Sequence, residues 1–254
     1  MLKKEIKNLN QKLEILFNNL KIKKNDNIVI HSNFAGLLQF EKKPEKAFNI
    51  FYKKLVSKIG KKGSIVIPTY NYQFTKLKYF NYFKSPSEVG VLSNYFLKKF
   101  PNRRTVNPIF SHLLLGKSLK HLIKKIDYEI FGKKSIFSFF EKKNFKIFCF
   151  CCSPSNITYL HYLEKKNNVQ YRFDKTFDGK INFKKKIFKI KIKYFVGKKK
   201  IDYSLKEKNL LNLVNNSQFK EKNFGRFSCY VVTVKFLKKI VEKELKIKSS
   251  FLIK

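Results

Sequence analysis

Leu2, Ile6, Leu9, Leu13, Leu16 and Leu20 follow one another at alternating steps of four and three. That spacing predicts an amphipathic helix over residues 2–20 with a Lys/Asn outer face. The apolar run Asn27-Ile28-Val29-Ile30-His31 then predicts a short buried strand, and Ser32-Asn33-Phe34-Ala35-Gly36 the loop that follows. A second helix is expected from Pro44 to Ile59, with proline in its first turn and Gly60 as its stop. Ser64-Ile65-Val66-Ile67 predicts another buried strand, ended by Pro68-Thr69. Ser85-Pro86-Ser87-Glu88 has the form of a capping box and predicts a helix running to about Phe100. Strand-like runs follow at 110–115 and 145–151. Phe188 to Lys193 alternates strictly, with one face apolar and the other lysine, inside a hairpin-like stretch over 182–196. A second capping box, Ser204-Leu205-Lys206-Glu207, predicts a helix to about Asn215. A strand near 227–232 and a helix over 234–246 close the chain. Strands and helices alternate with no long Pro/Gly/Ser linker, so one α/β domain over 1–254 is the economical reading.

Composition sharpens this picture in one direction. The formal net charge is +40 over 254 residues, yet 43% of the chain is hydrophobic, so a core is affordable and a disordered polybasic tail is excluded. Such a charge first suggests a nucleic-acid binder. Only four of the 57 basic residues are arginine, however: Arg103, Arg104, Arg172 and Arg226. Arginine is the residue that base edges and phosphates favour, because its planar fork donates two bonds at once. The abundance of Lys, Asn, Ile, Phe and Tyr, beside two alanines (Ala35 and Ala47), instead reads as a bias toward A/T-rich codons. The N-terminus has no continuous apolar region of the kind a signal peptide needs, and no uncharged apolar stretch approaches membrane-spanning length. Cys149, Cys151, Cys152 and Cys229 form no CxxC pair, which fits neither a disulfide framework nor a zinc site. No metal is expected, and free thiols in a cytoplasmic protein are.

Five segments carry candidate chemistry. Thr158-Tyr159-Leu160-His161-Tyr162-Leu163-Glu164 places an imidazole and a carboxylate three residues apart, on one side of a helix turn. The pair is either a surface ion pair or a general base held by its carboxylate. His31-Ser32-Asn33 lies just beyond a buried strand, where a loop can present amides and hydroxyls to phosphate or serve as a plain polar turn. Neither GxGxxG nor GxxxxGK[ST] is present, which leaves a Rossmann or P-loop nucleotide site unsupported. Arg103 and Arg104 precede Asn107-Pro108 and Ser111, a place for an anion or for an ion pair at a helix end. Cys152 could be a nucleophile activated by His161, or a small apolar residue like its neighbours. The lysine strand with Lys184–Lys186 and Lys198–Lys200 could bind single-stranded nucleic acid through its interleaved aromatics, or be a solvated strand face.

Taken in order, these segments resemble the aminoglycoside 3-N-acetyltransferase family. Its pattern is a strand ending in His-Ser, a strand ending in Pro-Thr, then Arg-x-x-His-Pro-x-x-Ser with a glycine, and Thr-x-x-His-x-x-Glu followed by Tyr-Arg. Here these read His31-Ser32, Pro68-Thr69, Arg104 to Ser111 with Gly116, Thr158 to Glu164, and Tyr171-Arg172, with Gly225 before the last strand. The similarity spans about residues 10–245. It implies a three-layer α/β/α sandwich around a mixed sheet and an acyl-CoA-dependent N-acyltransferase with acetyl-CoA as cosubstrate. His161 is then the general base, supported by Glu164, with Thr158 close by and no acyl-enzyme. His31, Ser32, Asn33, Thr69, Arg104 and Ser111 are expected to form the acyl-CoA cleft. Three positions depart from the pattern: Asn107 stands for the usual histidine, Phe110 for a polar residue that is often histidine, and Leu38 for a glycine. Asn107 and Phe110 are expected to reshape the acceptor pocket. The expected acceptor is the amine of an amino sugar or of an aminoglycoside-like molecule; a polycationic aminoglycoside is repelled by so basic a chain, which favours a small amine-bearing sugar, including an anionic nucleotide-linked one. The rival reading is a Lys-rich nucleic-acid-binding protein with a decayed acyltransferase site.

Overall fold

The computed structural model describes residues 8–199, 201–214 and 218–254. Leu2 and Ile6 of the expected first helix, Lys200, and the expected helix end at Asn215 lie outside the described residues. The elements run in the order α1 (Leu9–Asn19), β1 (Asn27–Ser32), α2 (Ala35–Leu38), α3 (Pro44–Ile59), β2 (Ser64–Pro68), α4 (Phe74–Leu77) and β3 (Tyr79–Asn81). Then come α5 (Val91–Lys99), β4 (His112–Leu115), α6 (Ile136–Lys142), β5 (Lys146–Phe150), α7 (Tyr159–Lys166), β6 (Arg172–Phe183) and β7 (Lys186–Gly197). The last four are α8 (Ser204–Leu211), β8 (Phe219–Phe224), β9 (Phe227–Thr233) and α9 (Val234–Ile247).

A six-stranded sheet in the order β4-β2-β1-β5-β9-β8 forms the middle layer. Strands β2, β1 and β5 are parallel, while β4, β9 and β8 run antiparallel to their neighbours, so the sheet is mixed. The parallel strands carry near-continuous apolar runs because both of their faces are covered. Ile28, Ile30, Ile65, Ile67, Phe148 and Phe150 face one side and pack with Leu13 and Phe17 of α1, Phe51 and Leu55 of α3, and Phe96 of α5. Val29, Val66, Ile147, Cys149 and Val232 face the other, against Phe140 of α6, Leu163 of α7 and Leu237 and Val241 of α9. The period-2 alternation of a strand thus feeds two separate cores, giving the three-layer α/β/α arrangement.

The predicted helix Pro44–Ile59 and the strands beginning at Asn27 and Ser64 are present. Both capping boxes are corrected. The helix expected from Ser85 begins at Val91, after Gly90. Ser85 Oγ instead accepts from Asn81 N at 2.9 Å, and Glu88 Oε1 from Gln73 N at 3.1 Å. Amides at the end of β3 and at the start of α4 thus claim the side chains that the motif reserves for a helix start. Ser204 lies inside α8, and its own amide donates to Asp202 Oδ1 at 2.8 Å. The capping box that does form joins Asn8 to Gln11 at the start of α1.

The hairpin-like stretch is longer than expected. Strands β6 and β7 pair from Arg172↔Gly197 to Phe183↔Lys186, with β3 added to β6 in a second, three-stranded sheet. Ile190 and Ile192 turn inward and are buried, while Lys189, Lys191 and Lys193 are exposed, so the alternation has the structural meaning expected of it.

Candidate active site

Strands β1, β2 and β5 are parallel, so their C-terminal ends and the loops that follow converge on one edge of the sheet. In α/β sheets this is where ligand crevices open. A cleft of about 970 Å³ lies there, at the upper end of the usual ~300–1,000 Å³ for small-molecule sites. His31, Ser32 and Asn33 line it from β1, Tyr70 and Tyr72 from the loop after β2, and Cys152, Thr158 and His161 from the segment after β5. Asn33 is held by two bonds: its amide donates to Phe150 O at 2.9 Å, and its Oδ1 accepts from Ala35 N at 3.1 Å. Gly36 is required beneath this loop, since a Cβ there would lie 2.2 Å from Cys151 Sγ.

Helix α7 points His161 into the cleft and buries Glu164 one turn behind it. His161 Nδ1 lies 2.6 Å from Glu164 Oε2, and the glutamate is fully buried. Tyr171 Oη donates to Glu164 Oε1 at 3.0 Å. Arg172 Nε lies 2.7 Å from Oε2 as an ion pair, its N–H not aligned as a hydrogen bond. Burial works to raise the Glu164 pKa, but His161 and Arg172 outweigh it and hold the carboxyl below its ordinary value. Burial is also the largest influence on His161, pushing it down to about 4 against the opposing pull of Glu164. The resting pair is therefore a carboxylate and a neutral imidazole. A carboxylate only accepts, so Nδ1 carries the proton and Nε2 keeps its lone pair. The Phe131 ring, 5.8 Å from the imidazole centroid, stands across from it as an apolar neighbour.

Thr158, buried at the start of α7, lines the cleft, and its hydroxyl meets Tyr70, whose Oη also lies 3.1 Å from His112 Nε2. His31 lines the cleft opposite, pushed down to about 4 by burial and by the charge of Lys206. The other three expected cleft residues are placed elsewhere. Thr69, Arg104 and Ser111 are 0%, 1% and 0% exposed and bond to one another, beneath the cleft and off its lining. Arg104 Nε donates to Ser111 Oγ at 2.8 Å, Nη2 to Thr69 O at 2.6 Å, and Nη1 to Ser85 O. Ser111 Oγ in turn donates to Thr69 O at 2.6 Å. Each guanidinium nitrogen thus donates to the protein, and the buried Arg104 lies off the cleft lining, so its fork is turned to the protein rather than to a phosphate in the cleft. It braces the loops after β2 and β3 against the turn that leads into β4, a task that needs the fork.

The departures at 107 and 110 have structural explanations. Asn107 is buried, and its Oδ1 accepts from Ile109 N and Phe110 N at 3.1 and 2.8 Å, shaping the turn. Phe110 packs against Tyr70, Tyr72 and Phe131. Neither reaches the cleft lining, whereas Leu38 does. Cys152 is half-buried in the lining and makes no hydrogen bond to His161 among the described residues. The Cys151 thiol, against Cys229 Sγ at 3.6 Å, is pushed well up by that contact and by burial.

The profile of the aminoglycoside 3-N-acetyltransferase family matches residues 29–246, which takes in every element of the site. The chain belongs to that family. Its members are N-acetyltransferases, and the acetyl-CoA cosubstrate expected from the sequence agrees with this membership. Solved structures of similar fold include the YokD protein from Bacillus subtilis (14% identity, 96% of this chain and 95% of that one, TM-score 0.75). AAC-IIIb, solved as a binary complex with CoASH, is similar at 14% identity, 94% and 96% coverage and TM-score 0.79. AAC-VIa bound to sisomicin matches at 13% identity, 95% and 98% coverage and TM-score 0.75. At these identities the likeness is one of fold. No curated protein matches the chain in sequence. Among the described residues no helix is long and apolar enough to cross a membrane.

Some residues at or behind the cleft carry no sequence signal of their role. Tyr171 and Arg172 were present in the Tyr-Arg pair, but only the fold shows that they hold Glu164. Tyr70 was signalled by nothing beyond its place after Pro68-Thr69. Lys206, whose charge acts on His31, His161 and Glu164, was one lysine among many.

Proposed function

We propose that the protein transfers the acetyl group of acetyl-CoA directly to the amine of an amino sugar, with His161 as general base. The observation that carries this reading is the 2.6 Å contact from His161 Nδ1 to a fully buried Glu164, on a helix that opens into the cleft. The amine nitrogen attacks the thioester carbonyl, the N–C bond forms and the C–S bond breaks. His161 Nε2 receives the amine proton and passes it to the departing CoA thiolate. Glu164 fixes the ring and supports the imidazolium, which is the division of labour a general base needs. Tyr171 and Arg172 act through Glu164 and are positioning residues. The loop His31-Ser32-Asn33 supplies the polar wall for the acyl-CoA. CoA is a polyanion, so a chain of formal charge +40 favours its approach.

The same electrostatics restrict the acceptor. No Asp or Glu occurs in the cleft lining among the described residues. Glu164 sits behind it, fully buried and already engaged by His161, Tyr171 and Arg172. A polyammonium acceptor finds no carboxylate there, whereas a neutral or anionic amino sugar meets no unfavourable charge. Kanamycin-type amines and nucleotide-linked amino sugars, compared by acetyl-CoA-dependent thiol release, should separate in favour of the latter. Higher kcat/KM for kanamycin would overturn the acceptor assignment.

A further inference from the structure

Phe34, Tyr70 and Tyr72 are the Phe and Tyr residues of the cleft lining. Phe34 and Tyr70 are buried, whereas Tyr72 is 39% exposed, so it alone among these rings offers broad surface to a ligand. Its ring is fixed from behind by T-shaped contacts to Phe110 and Tyr70, with centroids at 5.7 and 6.3 Å. Among the described residues no ring stacks parallel to it and no cation lies over it. The backbone on either side is tied down. Asn71 N donates to Ile109 O at 2.9 Å and Asn71 Nδ2 to Pro86 O at 3.1 Å, while Thr75 Oγ1 donates to Tyr72 O at 2.8 Å. A rigid, open aromatic face loses little freedom on binding.

The position of this ring and the charge of its surroundings indicate what it binds. Phe110 lies 5.3 Å from Phe131, which stands 5.8 Å from the His161 imidazole. Tyr72, Phe110, Phe131 and His161 thus form one row of neighbouring rings, and its two ends, Tyr72 and His161, line the same cleft. Leu38, Val89 and Val91 add apolar surface to that lining, and among the described residues no Lys, Arg, Asp or Glu belongs to it. The adenine of CoA is tethered to phosphates, which seek cationic donors. A sugar ring is uncharged and has an apolar C–H face that a tyrosine ring can cover.

We infer that Tyr72 is the acceptor-stacking residue of the cleft: the pyranose that carries the reacting amine lays its C–H face on the Tyr72 ring. This rests on the proposed acetyl transfer and narrows its substrate class to amines borne on a sugar ring. Phe110 has a part in it too. It does not reach the lining, yet it backs the ring that does, so the departure at 110 acts on the acceptor through Tyr72.

Glucosamine and ethanolamine, an amine without a ring face, serve as probes, with the variants Tyr72→Ala and Tyr72→Phe. In thiol release from acetyl-CoA, the ratio of kcat/KM for glucosamine over ethanolamine should fall about tenfold in Tyr72→Ala, mainly through KM, and hold in Tyr72→Phe. An unchanged ratio in Tyr72→Ala would overturn the inference. An equal loss in Tyr72→Phe would do so too, by placing recognition on the hydroxyl. Acetyl-CoA affinity, read by calorimetry, should match wild type in both variants; a tenfold weaker binding to Tyr72→Ala would assign the ring to adenine instead. Saturation-transfer NMR of glucosamine with the CoA-saturated protein reads the contact without turnover. Irradiation of aromatic protons should mark the axial protons of one pyranose face in wild type, and the marking should weaken strongly in Tyr72→Ala. Equal marking in the two proteins would contradict the stack. The melting temperature of Tyr72→Ala should stay near that of wild type, because the ring is partly exposed, and a marked drop would count against a role in binding. Absence of thiol release with every amine, alongside marking that needs Tyr72, would instead sink the acetyl-transfer reading and leave the sugar-stacking ring standing.

Discussion

Arg104 and His161 show how far the role of a residue depends on what surrounds it. Both stand in family motifs, and both are polar groups near the cleft. His161 keeps its Nε2 lone pair because the ring proton stays on Nδ1, which donates to the carboxylate. Arg104 turns all three guanidinium nitrogens to Ser111, Thr69 and Ser85, above the ring of Phe80 at 4.7 Å. Replacing Arg104 with lysine keeps the charge but cannot satisfy three acceptors in one plane. The expected result is a loss of about 2 kcal/mol or more of stability, seen as a lower urea midpoint. An unchanged midpoint would mean that the brace carries little. His161 and Glu164 were legible because HxxE on a helix fixes its own geometry. Whether Arg104 faced ligand or backbone was not legible, since that depends on carbonyls from residues 19 and 35 positions away.

Among the elements, α3 was legible to the residue because proline, apolar spacing and Gly60 all agree locally. The capping box at Ser85 failed where the amides of Asn81 and Gln73 claimed its side chains; at Ser204 the helix forms, but Ser204 lies within it and gives its own amide to Asp202. Strand β6 escaped notice because Asp174, Lys175, Asp178 and Lys180 leave it mostly exposed and without apolar alternation; its partner β7 makes it a strand. The β6–β7 turn has both central residues, Lys184 and Lys185, at positive φ (52° and 65°). Two-residue hairpin turns of this kind favour Asn-Gly, and lysine is strained there. Lys184→Asn combined with Lys185→Gly is therefore expected to raise the melting temperature by a few degrees in a scanning fluorimetry assay. A lower melting temperature would contradict the turn geometry.

At the scale of the whole molecule, +40 first suggested a polyanion-binding surface. The structure puts the strand lysines on a solvated face, and among the described residues the cleft lining holds no Asp or Glu. Burial also leaves three histidines neutral: His31 and His161 are pushed down to about 4 and His112 to about 3. Unfolded histidine titrates near 6.5, so between these values the unfolded chain holds protons that the native state does not. Unfolding free energy therefore rises with pH in this window. The stability is fully present above about pH 6.5 and is lost as pH falls toward 4, by about 1 kcal/mol per pH unit for each histidine. Denaturant midpoints should drop steeply from pH 6.5 to 5 and stay level from 7 to 8; a flat profile would show that these histidines are not buried as described.

The most direct test of acetyl transfer at this site is thiol release from acetyl-CoA with a panel of amino sugars, for wild type and His161→Ala together. Wild type should release CoA only when an amine is present. His161→Ala should still bind acetyl-CoA, shown by a retained thermal shift, while losing about 10²–10⁴-fold in rate. Equal rates for the two proteins, or amine-independent release, would contradict a His161-based acetyl transfer.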